Sequence, residues 1–423
     1  MYNSDNKKSI IFCQWNAFMQ QGIQNALDRM NINYDIFYRI PTNWDNDSSY
    51  TESFRDYLKG RMSGEGSDND NGKLSDINRY YCVFSVNFMP LISDVCQEFG
   101  IKYISWIYDA PIHIRRTDTL KNSVNEIYAF DRVQAEKYAS MGVKAHHLVL
   151  AADTDVFSHE GIRKIIEQRK KLENPWDAGF IPMGDESGKY MCDVALVGKL
   201  YTSEYNVIAN VQDQYTKGVM EGIIGSQLKI YGGYFLGDVI DDRVMNLING
   251  GIARVTNGRE SVIKEQVEYA LATEITRRER FMALSLLQNR CKVLLCSNES
   301  DSSLNNVNNI GYVDYYTQMP EVFRQAKINL NISLKIIQSG IPLRVMDVLG
   351  CGGFLITNYQ PELEEYFVNG EDLVIYEDMT DLVLKVQYYL EHDDERKRIA
   401  DNGFKKVKEL CSFDDRIKKM FML

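Results

Sequence analysis

The sequence predicts an α/β protein with two Rossmann-like domains, each built on a doubly wound parallel sheet. Three observations support this fold class. Short apolar runs alternate with helical stretches of about 10–15 residues, this alternation breaks near the middle and then resumes, and 423 residues exceed what one ordinary core accommodates. Strands that alternate with helices form right-handed βαβ units, so the strands of each sheet are expected to run parallel.

The first series of elements precedes the break. Strands are predicted at Ser9–Cys13, Asn33–Tyr38, Tyr80–Val86, Lys102–Ile107, Glu126–Phe130 and His147–Leu150. Helices are predicted at Ala17–Met30, Thr51–Lys59, Pro90–Phe99 and Arg132–Met141. The segment Arg61–Lys73 lacks hydrophobic periodicity and is rich in glycine and acidic residues, which predicts a mobile loop.

The second series begins after a charged stretch that also contains proline and glycine. Strands are predicted at Asp193–Val197, Leu228–Tyr231, Lys292–Cys296, Ile328–Asn331, Phe354–Ile356 and Leu373–Ile375. The longest helix is predicted at Ser261–Gln288, and the tail Asp378–Leu410 is helical and charged. We therefore predict domains at 1–152 and 191–411, a linker at 153–190, and a C-terminal helix within 412–423 that packs back on the first domain.

Composition excludes several functional classes. The formal net charge of -11 argues against nucleic acid as a partner, because phosphate neutralisation requires clustered Lys and Arg. The N-terminal apolar run is too short for a signal peptide, and no run reaches membrane-spanning length. The eight cysteines lack metal-ligand spacing, so they are interpreted as reduced core residues. These features predict a cytoplasmic protein.

The stretch Gly340–Thr357, GIPLRVMDVLGCGGFLIT, is predicted to contain a turn, a short helix, a glycine break and a buried strand. Pro342 suits the first turn of the helix, and Ser339 is positioned to serve as its N-cap. A glycine-led helix N-terminus favours an anion, because free amides and the helix dipole both point to it. We therefore expect a phosphate-binding site near Gly340.

Arg344 and Asp347 lie three residues apart and share one face of this helix. Arg344 suits a phosphate, while Asp347 suits a ribose hydroxyl, which needs a hydrogen-bond acceptor. The alternative is an ion pair within the helix, and the spacing leaves both interpretations open.

Two further stretches follow strands of the second domain. Gly198 and Lys199 come directly after the first strand, where a glycine turn can approach a ligand and a cation can meet diphosphate charge. Lys335 follows the strand at Ile328–Asn331 and precedes Gly340, so it is expected to face the same anion. Ligands of open α/β sheets bind outside the carboxyl ends of the strands. The alternative for each lysine is an ordinary solvated side chain.

The segment SWIYDAPIH, residues 105–113, places Asp109 just after a strand of the first domain. Asp109 is a candidate general base for an acceptor hydroxyl, and His113 could assist it or bind a phosphate. The alternatives are an Asx turn and a surface histidine.

The pair Asp153 and Asp155 suggests a divalent-metal motif, but its place at the domain junction favours turn and cap roles. No metal or other cofactor is therefore expected.

These motifs resemble those of GT-B glycosyltransferases. HHLVLAADTDVF, residues 146–157, resembles the segment that joins their two domains, and Gly340–Phe367 resembles their nucleotide-sugar motif. SWIYDAP, the segment GYVDYYTQMPEVFRQAKINLNIS and the closing NGEDLVIYED are similar to the bacterial spore-maturation-type branch. The resemblance covers most of the chain after Tyr80 and implies two domains that face a central cleft.

The resemblance also implies roles for individual residues. Asp347 occupies the position of the acid that binds the donor ribose, and Ser339 the position where many retaining relatives carry a glutamate. The positions that match the donor diphosphate contacts are Lys335, Gly340, Ile341 and Arg344, and those that match the turn whose backbone reads the nucleobase are Gly311, Tyr312 and Val313. Gly198 and Lys199 match the glycine–cation turn that follows the first strand of the second domain. The departure at Ser339 leaves the sugar and the stereochemical outcome open, with Gln338 or Gln360 as substitutes for the sugar contact.

The resemblance therefore implies a metal-independent glycosyltransferase that moves a sugar from a nucleotide-diphosphate donor to a glycan or protein hydroxyl. The nucleotide expected in this donor is UDP. The C-terminal domain would bind the donor and the N-terminal domain the acceptor. Two alternatives stay open: a sugar-nucleotide epimerase on the same fold, and a catalytically silent partner of another glycosyltransferase. Whether the chain forms a homo-oligomer is also left open.

Overall fold

A computed structural model of the chain describes residues 9–63, 79–112, 114–171, 186–201 and 204–422. The chain divides into two compact units. Unit 1 comprises Met1–Asp153 and Leu410–Leu423, and unit 2 comprises Thr154–Glu409. The C-terminal residues therefore group with unit 1, although they follow unit 2 in the sequence.

Each unit contains a sheet of six parallel strands. In unit 1 the strands are β1 (Ser9–Gln14), β2 (Tyr34–Tyr38), β3 (Tyr80–Val86), β4 (Tyr103–Ile107), β5 (Asn125–Ala129) and β6 (Ala145–His147), in the order β2-β1-β3-β4-β5-β6. In unit 2 they are β7 (Cys192–Val197), β8 (Val293–Cys296), β9 (Val307–Asn309), β10 (Ala326–Asn331), β11 (Leu355–Asn358) and β12 (Val374–Tyr376), in the order β12-β11-β10-β7-β8-β9. The alternating pattern in the sequence thus correctly predicted two doubly wound parallel sheets.

Helices connect the strands. The first eight are α1 (Gln20–Arg29), α2 (Ser48–Ser63), α3 (Pro90–Phe99), α4 (Arg132–Ser140), α5 (His159–Lys170), α6 (Glu204–Ala209), α7 (Gln214–Gln227) and α8 (Leu236–Val239). The others are α9 (Asp242–Thr256), α10 (Lys264–Leu287), α11 (Met319–Gln325), α12 (Leu343–Gly350), α13 (Leu363–Tyr366), α14 (Met379–Glu391), α15 (Asp393–Leu410) and α16 (Phe413–Phe421). A short 3₁₀ helix spans Thr117–Lys121.

The core of unit 1 lies on its central strands. All five residues of β4 and all five of β5 are buried, as expected for parallel strands covered on both faces. Helix α16 packs against α1, and its buried face places Phe413 beside Trp106 with ring centroids 6.1 Å apart. Arg416 is also buried and donates from Nε to the Val149 carbonyl at 2.7 Å. This helix therefore completes the core of unit 1.

Three predicted elements differ from the structure. The strand expected at His147–Leu150 lies earlier, because β6 ends at His147. The strand expected at Leu228–Tyr231 is wrong: Leu228 is the C-cap of α7, and the Ile230 N–H donates to the Gln227 carbonyl at 3.1 Å, so the run forms the turn that follows the helix. Of the loop expected at Arg61–Lys73, the first three residues belong to α2 and the rest lie outside the described residues.

The connection between β7 and β8 contains helices α6 to α10. Helices α6 to α10 have their own apolar core, in which Ile224, Ile248 and Leu271 are fully buried. Helix α10 reaches back to the sheet, because Ala283, Leu284 and Leu287 join the core around β7 and β10. The long helix expected at Ser261–Gln288 is therefore confirmed as α10. Its side chains contribute both to the core of the helical cluster and to the core around the sheet.

Candidate active site

The carboxyl edge of the unit 2 sheet brings together several residues predicted from the sequence. Strands β7 and β10 are neighbours, with Val194 opposite Ile328. Because both strands run in the same direction, the residues that follow them lie along one edge. Gly198 and Lys199 follow β7, and Lys335 follows β10. The topology thus places these three residues on the side of the sheet where α/β proteins bind ligands.

Gly198 has φ +149°, a conformation that residues with a side chain rarely adopt. A Cβ atom at this position would lie 3.2 Å from Nη1 of Arg280. The glycine therefore allows a buried arginine to approach the backbone closely. Lys199 is exposed, and its carbonyl accepts a hydrogen bond from Nη1 of Arg280.

Arg280, on α10, is a residue that sequence reasoning missed. Its Nη2 donates to the Ile332 carbonyl at 2.7 Å, so the guanidinium joins the segments that follow β7 and β10. The guanidinium carbon also lies 5.1 Å from the centroid of the Tyr201 ring, and Nε has no hydrogen-bond partner. Burial lowers the pKa of Arg280, and the nearby charge of Arg344 acts in the same direction.

The sequence signal for Arg280 was weak but present. It ends the run Arg277–Arg280, RRER, in a helix where most charged side chains would be expected to face solvent. Arg280 lies three residues before the fully buried Ala283 and four before Leu284. Helical periodicity therefore places its side chain on the buried face.

Lys335, which was expected to face a bound anion, is paired with a carboxylate of the protein. Its Nζ lies 3.0 Å from Oε1 of Glu279, and both side chains are almost completely buried. Burial raises the pKa of Glu279, while the charge of Lys335 opposes that shift. The pair is close enough for an ion pair, but neither Glu279 oxygen accepts a hydrogen bond of normal geometry. Lys335 thus lies at the expected edge of the sheet, with its charge balanced by Glu279.

Helix α12 carries Arg344 and Asp347 on one face, with Nη1 and Oδ2 3.1 Å apart. The other carboxylate oxygen of Asp347, Oδ1, accepts a hydrogen bond from the Tyr315 hydroxyl at 2.7 Å. Burial raises the pKa of Asp347 to about 6, against the opposing effects of Arg344 and Tyr315. The intrahelical ion pair that the spacing left open is therefore present, and each carboxylate oxygen of Asp347 already has one hydrogen-bonding or ion-pair partner.

The start of α12 differs from the sequence prediction in one respect. The helix begins at Leu343, and Pro342 occupies the N-cap with an extended backbone. Ser339 is not the cap, because its hydroxyl donates to Oε1 of the buried Glu362 at 2.7 Å. The Glu362 N–H returns a hydrogen bond to the Ser339 carbonyl at 3.1 Å. The turn that contains Gly340 and the fully buried Ile341 is thereby tied to the start of α13.

The segment that contains Gly311, Tyr312 and Val313 follows β9. Gly311 has φ +80°, and Tyr312 is 65% exposed while Val313 is buried. Asp314 fixes the next turn, because its Oδ1 pairs with Nη1 of Arg169 at 3.0 Å and accepts from the Thr317 N–H at 2.9 Å. An exposed aromatic ring therefore projects from a well-held turn.

Asp109 lies in unit 1, two residues after β4. Its Oδ2 accepts a hydrogen bond from Nδ2 of Asn87 at 2.7 Å, and Oδ1 of Asn87 accepts from the Tyr108 N–H at 3.0 Å. Asn87 itself has φ +61°, so a polar side chain that follows β3 holds the carboxylate that follows β4. His113, the second catalytic candidate, lies outside the described residues.

The described residues contain no group of three or more His, Cys, Asp or Glu side chains that could hold a metal ion. Near the junction, the Ser158 hydroxyl donates to the Asp155 carbonyl at 2.6 Å and caps α5 by accepting from the Gly161 N–H at 3.0 Å. In the part of the chain that the structure describes, we find no helix that combines the length and apolar character needed to cross a membrane.

Comparison with known families gives a match in the C-terminal part of the chain. Residues 276–422 match the sequence model of the family described as "Glycosyl transferase-like". The chain carries a glycosyltransferase domain. The matched segment includes Arg280, Lys335, Arg344 and Asp347, so the clustered cations lie within the part of the chain that resembles this family. Among curated proteins, none matches the chain in sequence.

Solved structures extend the comparison to the whole chain. A glycosyltransferase from Rickettsia africae ESF-5 has a TM-score of 0.50 at 10% identity, with 98% of each chain covered. Sucrose-phosphate synthase from Thermosynechococcus elongatus has a TM-score of 0.49 at 9% identity, with 98% of each chain covered. Anabaena HepE in complex with UDP and glucose has a TM-score of 0.47 at 9% identity, with 98% of this chain and 99% of the other covered. The two six-stranded parallel sheets and the likeness to the Rickettsia enzyme show a GT-B fold.

Proposed function

We propose that this protein is a cytoplasmic, metal-independent glycosyltransferase of the spore-maturation-type branch. It transfers a sugar from a nucleotide-diphosphate donor, UDP-linked, to a hydroxyl of a glycan or protein. Unit 2 binds the donor, and unit 1 binds the acceptor.

The observation that carries this proposal is the clustering of cations at the carboxyl edge of the unit 2 sheet. Arg280 is buried there, and Arg344 is close enough to lower the pKa of Arg280. The exposed Lys199 lies beside them, because its carbonyl accepts a hydrogen bond from Arg280. Fixed cations stabilise the negative charge that develops on a departing diphosphate. Lys335 adds a further cation when a bound phosphate draws it away from Glu279.

The nucleoside would lie against two groups of unit 2. The exposed ring of Tyr312 offers a flat apolar surface next to a backbone turn, which suits a nucleobase. Asp347 is the proposed ribose acceptor, and its ion pair with Arg344 would then open so that the guanidinium turns to the diphosphate. Ser339, Gly340 and Ile341 are proposed to line the same donor site.

In unit 1, Asp109 is the proposed general base if the reaction inverts the configuration at the sugar. The hydrogen bond from Asn87 orients one oxygen of this carboxylate. A carboxylate held in this way can accept the proton of an attacking hydroxyl as the new glycosidic bond forms. His113 is proposed to assist it.

Thermal-shift measurements with UDP-, GDP- and dTDP-sugars test the donor assignment. We expect UDP-sugars to raise the unfolding temperature of the full chain, because a ligand that binds only the folded state stabilises it. Asp347→Ala should abolish this shift, whereas the matched variant Asp109→Ala should retain it. If no nucleotide sugar stabilises the protein, the proposed function is wrong. Conversion of UDP-GlcNAc in the absence of any acceptor would instead indicate the epimerase.

A further inference from the structure

Unit 1 contains an open pocket of about 780 Å³ that the proposed catalytic groups do not explain. The residues that line it are Thr42, Asn43, Trp44, Asp45, Asn46, Arg115 and Arg116. They belong to two loops, one after β2 and the other after β4. Since carboxyl ends of parallel strands lie at one edge, this pocket is on the side of the unit 1 sheet where ligands bind.

The two loops are fastened to each other by Asp45. Its Oδ1 accepts hydrogen bonds from the Arg115 N–H at 2.8 Å and from the Arg116 N–H at 3.0 Å. Within the first loop, Oδ1 of Asn43 accepts from the N–H groups of Asp45 and Asn46 at 2.9 and 3.0 Å. The pocket walls are therefore preorganised, which reduces the entropy lost when a ligand binds.

One wall of the pocket is aromatic. Trp44 packs edge-on against Trp15, with ring centroids 4.6 Å apart and an interplanar angle of 87°. Trp15 is in turn held by a hydrogen bond from its Nε1 to the Val86 carbonyl at 2.8 Å. Trp44 is only half-buried, so a rigidly supported indole remains accessible from the pocket. Such a ring suits the apolar C–H surface of a sugar.

Two arginines, Arg115 and Arg116, also line the pocket. Nη1 of Arg116 pairs with Oδ2 of Asp94 at 2.8 Å. The exposed Arg115, by contrast, has no carboxylate partner among the residues that the structure describes. The carboxylate of Asp45 is already engaged by backbone amides. In a chain with a net charge of -11, the guanidinium of Arg115 thus lines an open pocket without an ion-pair partner in the described part of the chain.

We propose that this pocket binds a sugar ring that carries an anionic group, either a carboxylate or a phosphate, and so selects an acidic saccharide as the acceptor. The inference rests on the proposed transferase function and specifies its acceptor class. The planar guanidinium of Arg115 binds the anionic group through two parallel hydrogen bonds, and Trp44 packs on the ring. The loop that carries Arg115 also carries Asp109, so the bound sugar is held by the same loop as the proposed base.

Saturation-transfer NMR on the full chain tests this assignment with glucuronic acid, glucose 6-phosphate and glucose as probes. We expect at least one anionic probe to bind about tenfold more tightly than glucose, since a charge-assisted hydrogen bond contributes most of the affinity. Arg115→Gln should remove that preference. The control Arg259→Gln removes the same charge from an exposed position in unit 2 and should change nothing. Binding of only one anionic probe identifies carboxylate or phosphate as the group recognised.

The proposal is overturned if Arg115→Gln binds the anionic probes as the unmodified chain does, or if glucose binds equally well. Trp44→Leu gives a second test, because it should weaken all three probes while leaving the charge preference intact. Thermal unfolding of each variant verifies folding. The thermal shift caused by UDP-sugars is measured on the same samples. If UDP-sugars do not stabilise the unmodified chain, the transferase function is contradicted. If they do stabilise it but sugar binding does not depend on Arg115, only the proposed acceptor class is contradicted.

Discussion

Arg344 and Asp347 form an ion pair within α12, with Nη1 and Oδ2 3.1 Å apart, and the aspartate is buried while the arginine is partly exposed. The hydroxyl of Tyr315 donates a hydrogen bond to the other carboxylate oxygen, Oδ1. A buried carboxylate with one charged partner is costly to keep ionised, which is why burial raises the pKa of Asp347 to about 6. The proposed ribose ligand is therefore also a source of pH-dependent stability.

The first prediction concerns this pH dependence. Because the pKa of Asp347 is higher in the folded chain than in the unfolded chain, folding favours the protonated acid. Its stabilising contribution is thus present at low pH and is lost as pH rises through about 6. Between pH 5 and 7, the unfolding free energy of the unmodified chain should fall by about 1 kcal/mol relative to that of Asp347→Asn. Urea denaturation at several pH values measures this difference.

The control for this prediction is Asp238→Asn, which removes a carboxylate from the surface of α8. Its pH dependence should follow that of the unmodified chain. A constant difference between the unmodified chain and Asp347→Asn from pH 5 to 7 would contradict the raised pKa.

A second prediction concerns Glu279 and Lys335, whose buried charges are 3.0 Å apart. Lys335→Met leaves the Glu279 carboxylate without its counter-ion, so we expect a loss of about 3–5 kcal/mol of stability. The double variant Glu279→Gln/Lys335→Met removes both charges and should recover much of that loss. Equilibrium denaturation of the two single variants and the double variant gives the coupling energy between the residues.

The same variants separate stability from donor binding. In Glu279→Gln the charge of Lys335 is no longer balanced, so the affinity for UDP should rise or stay equal. In the double variant, stability returns but UDP affinity should fall, because the cation is absent. Calorimetric titration with UDP checks both outcomes. Equal UDP affinity in the double variant and the unmodified chain would remove Lys335 from the donor site.

A third prediction concerns Arg280, which joins the Lys199 and Ile332 carbonyls. Arg280→Met would leave both acceptors without this donor and should cost about 2–6 kcal/mol, since each unsatisfied buried group costs about 1–3 kcal/mol. Arg280→Lys keeps the charge but cannot reach both carbonyls at once. We therefore expect Arg280→Lys to keep more UDP affinity than Arg280→Met, as measured by calorimetry. Equal affinities would indicate that Arg280 only shapes the backbone.

The fold was predictable because it depends on a repeated pattern. Apolar runs such as Tyr103–Ile107 are buried on both faces and bounded by turns, so their strand character is visible locally. The prediction of a strand at Leu228–Tyr231 was wrong because the turn that follows a helix can have the same apolar composition as a short strand. The shift of β6 to Ala145–His147 has a similar cause, because the apolar residues that follow it are buried without belonging to the sheet.

The sequence predicted which edge of the sheet the candidate residues lie on, but not the contacts that they make there. Gly198 and Lys335 follow strands, and topology alone brings such residues to one edge. The partners Glu279 and Arg280 come from a helix far along the chain, and no local pattern indicates which strand end that helix reaches. Ser339 illustrates the same limit, because its bond to Glu362 competes with a capping role that short-range spacing favours.

A fourth prediction concerns the C-terminal helix α16, which packs in unit 1 against α1. Ile417 is fully buried in this contact, so Ile417→Ala should lower the unfolding free energy by about 2–4 kcal/mol through lost burial and a residual cavity. The neighbouring Lys418 is exposed, and Lys418→Ala serves as the matched control with an effect near zero. Chemical denaturation monitored by tryptophan fluorescence measures both. Equal stabilities would mean that α16 does not pack in unit 1.

The last prediction concerns Asp109 and the hydrogen bond from Asn87, whose Nδ2 lies 2.7 Å from Oδ2 of the carboxylate. If Asp109 is the general base, Asp109→Asn should reduce kcat by about 10²–10⁴-fold while donor affinity is preserved, because the amide cannot accept the proton. Asn87→Ala keeps the base but frees its orientation, so its loss of kcat should be smaller. Steady-state kinetics with a UDP-sugar and a competent acceptor measure both effects. A kcat unchanged in Asp109→Asn would exclude this carboxylate as the base, since no positional adjustment of an asparagine supplies the missing proton acceptor.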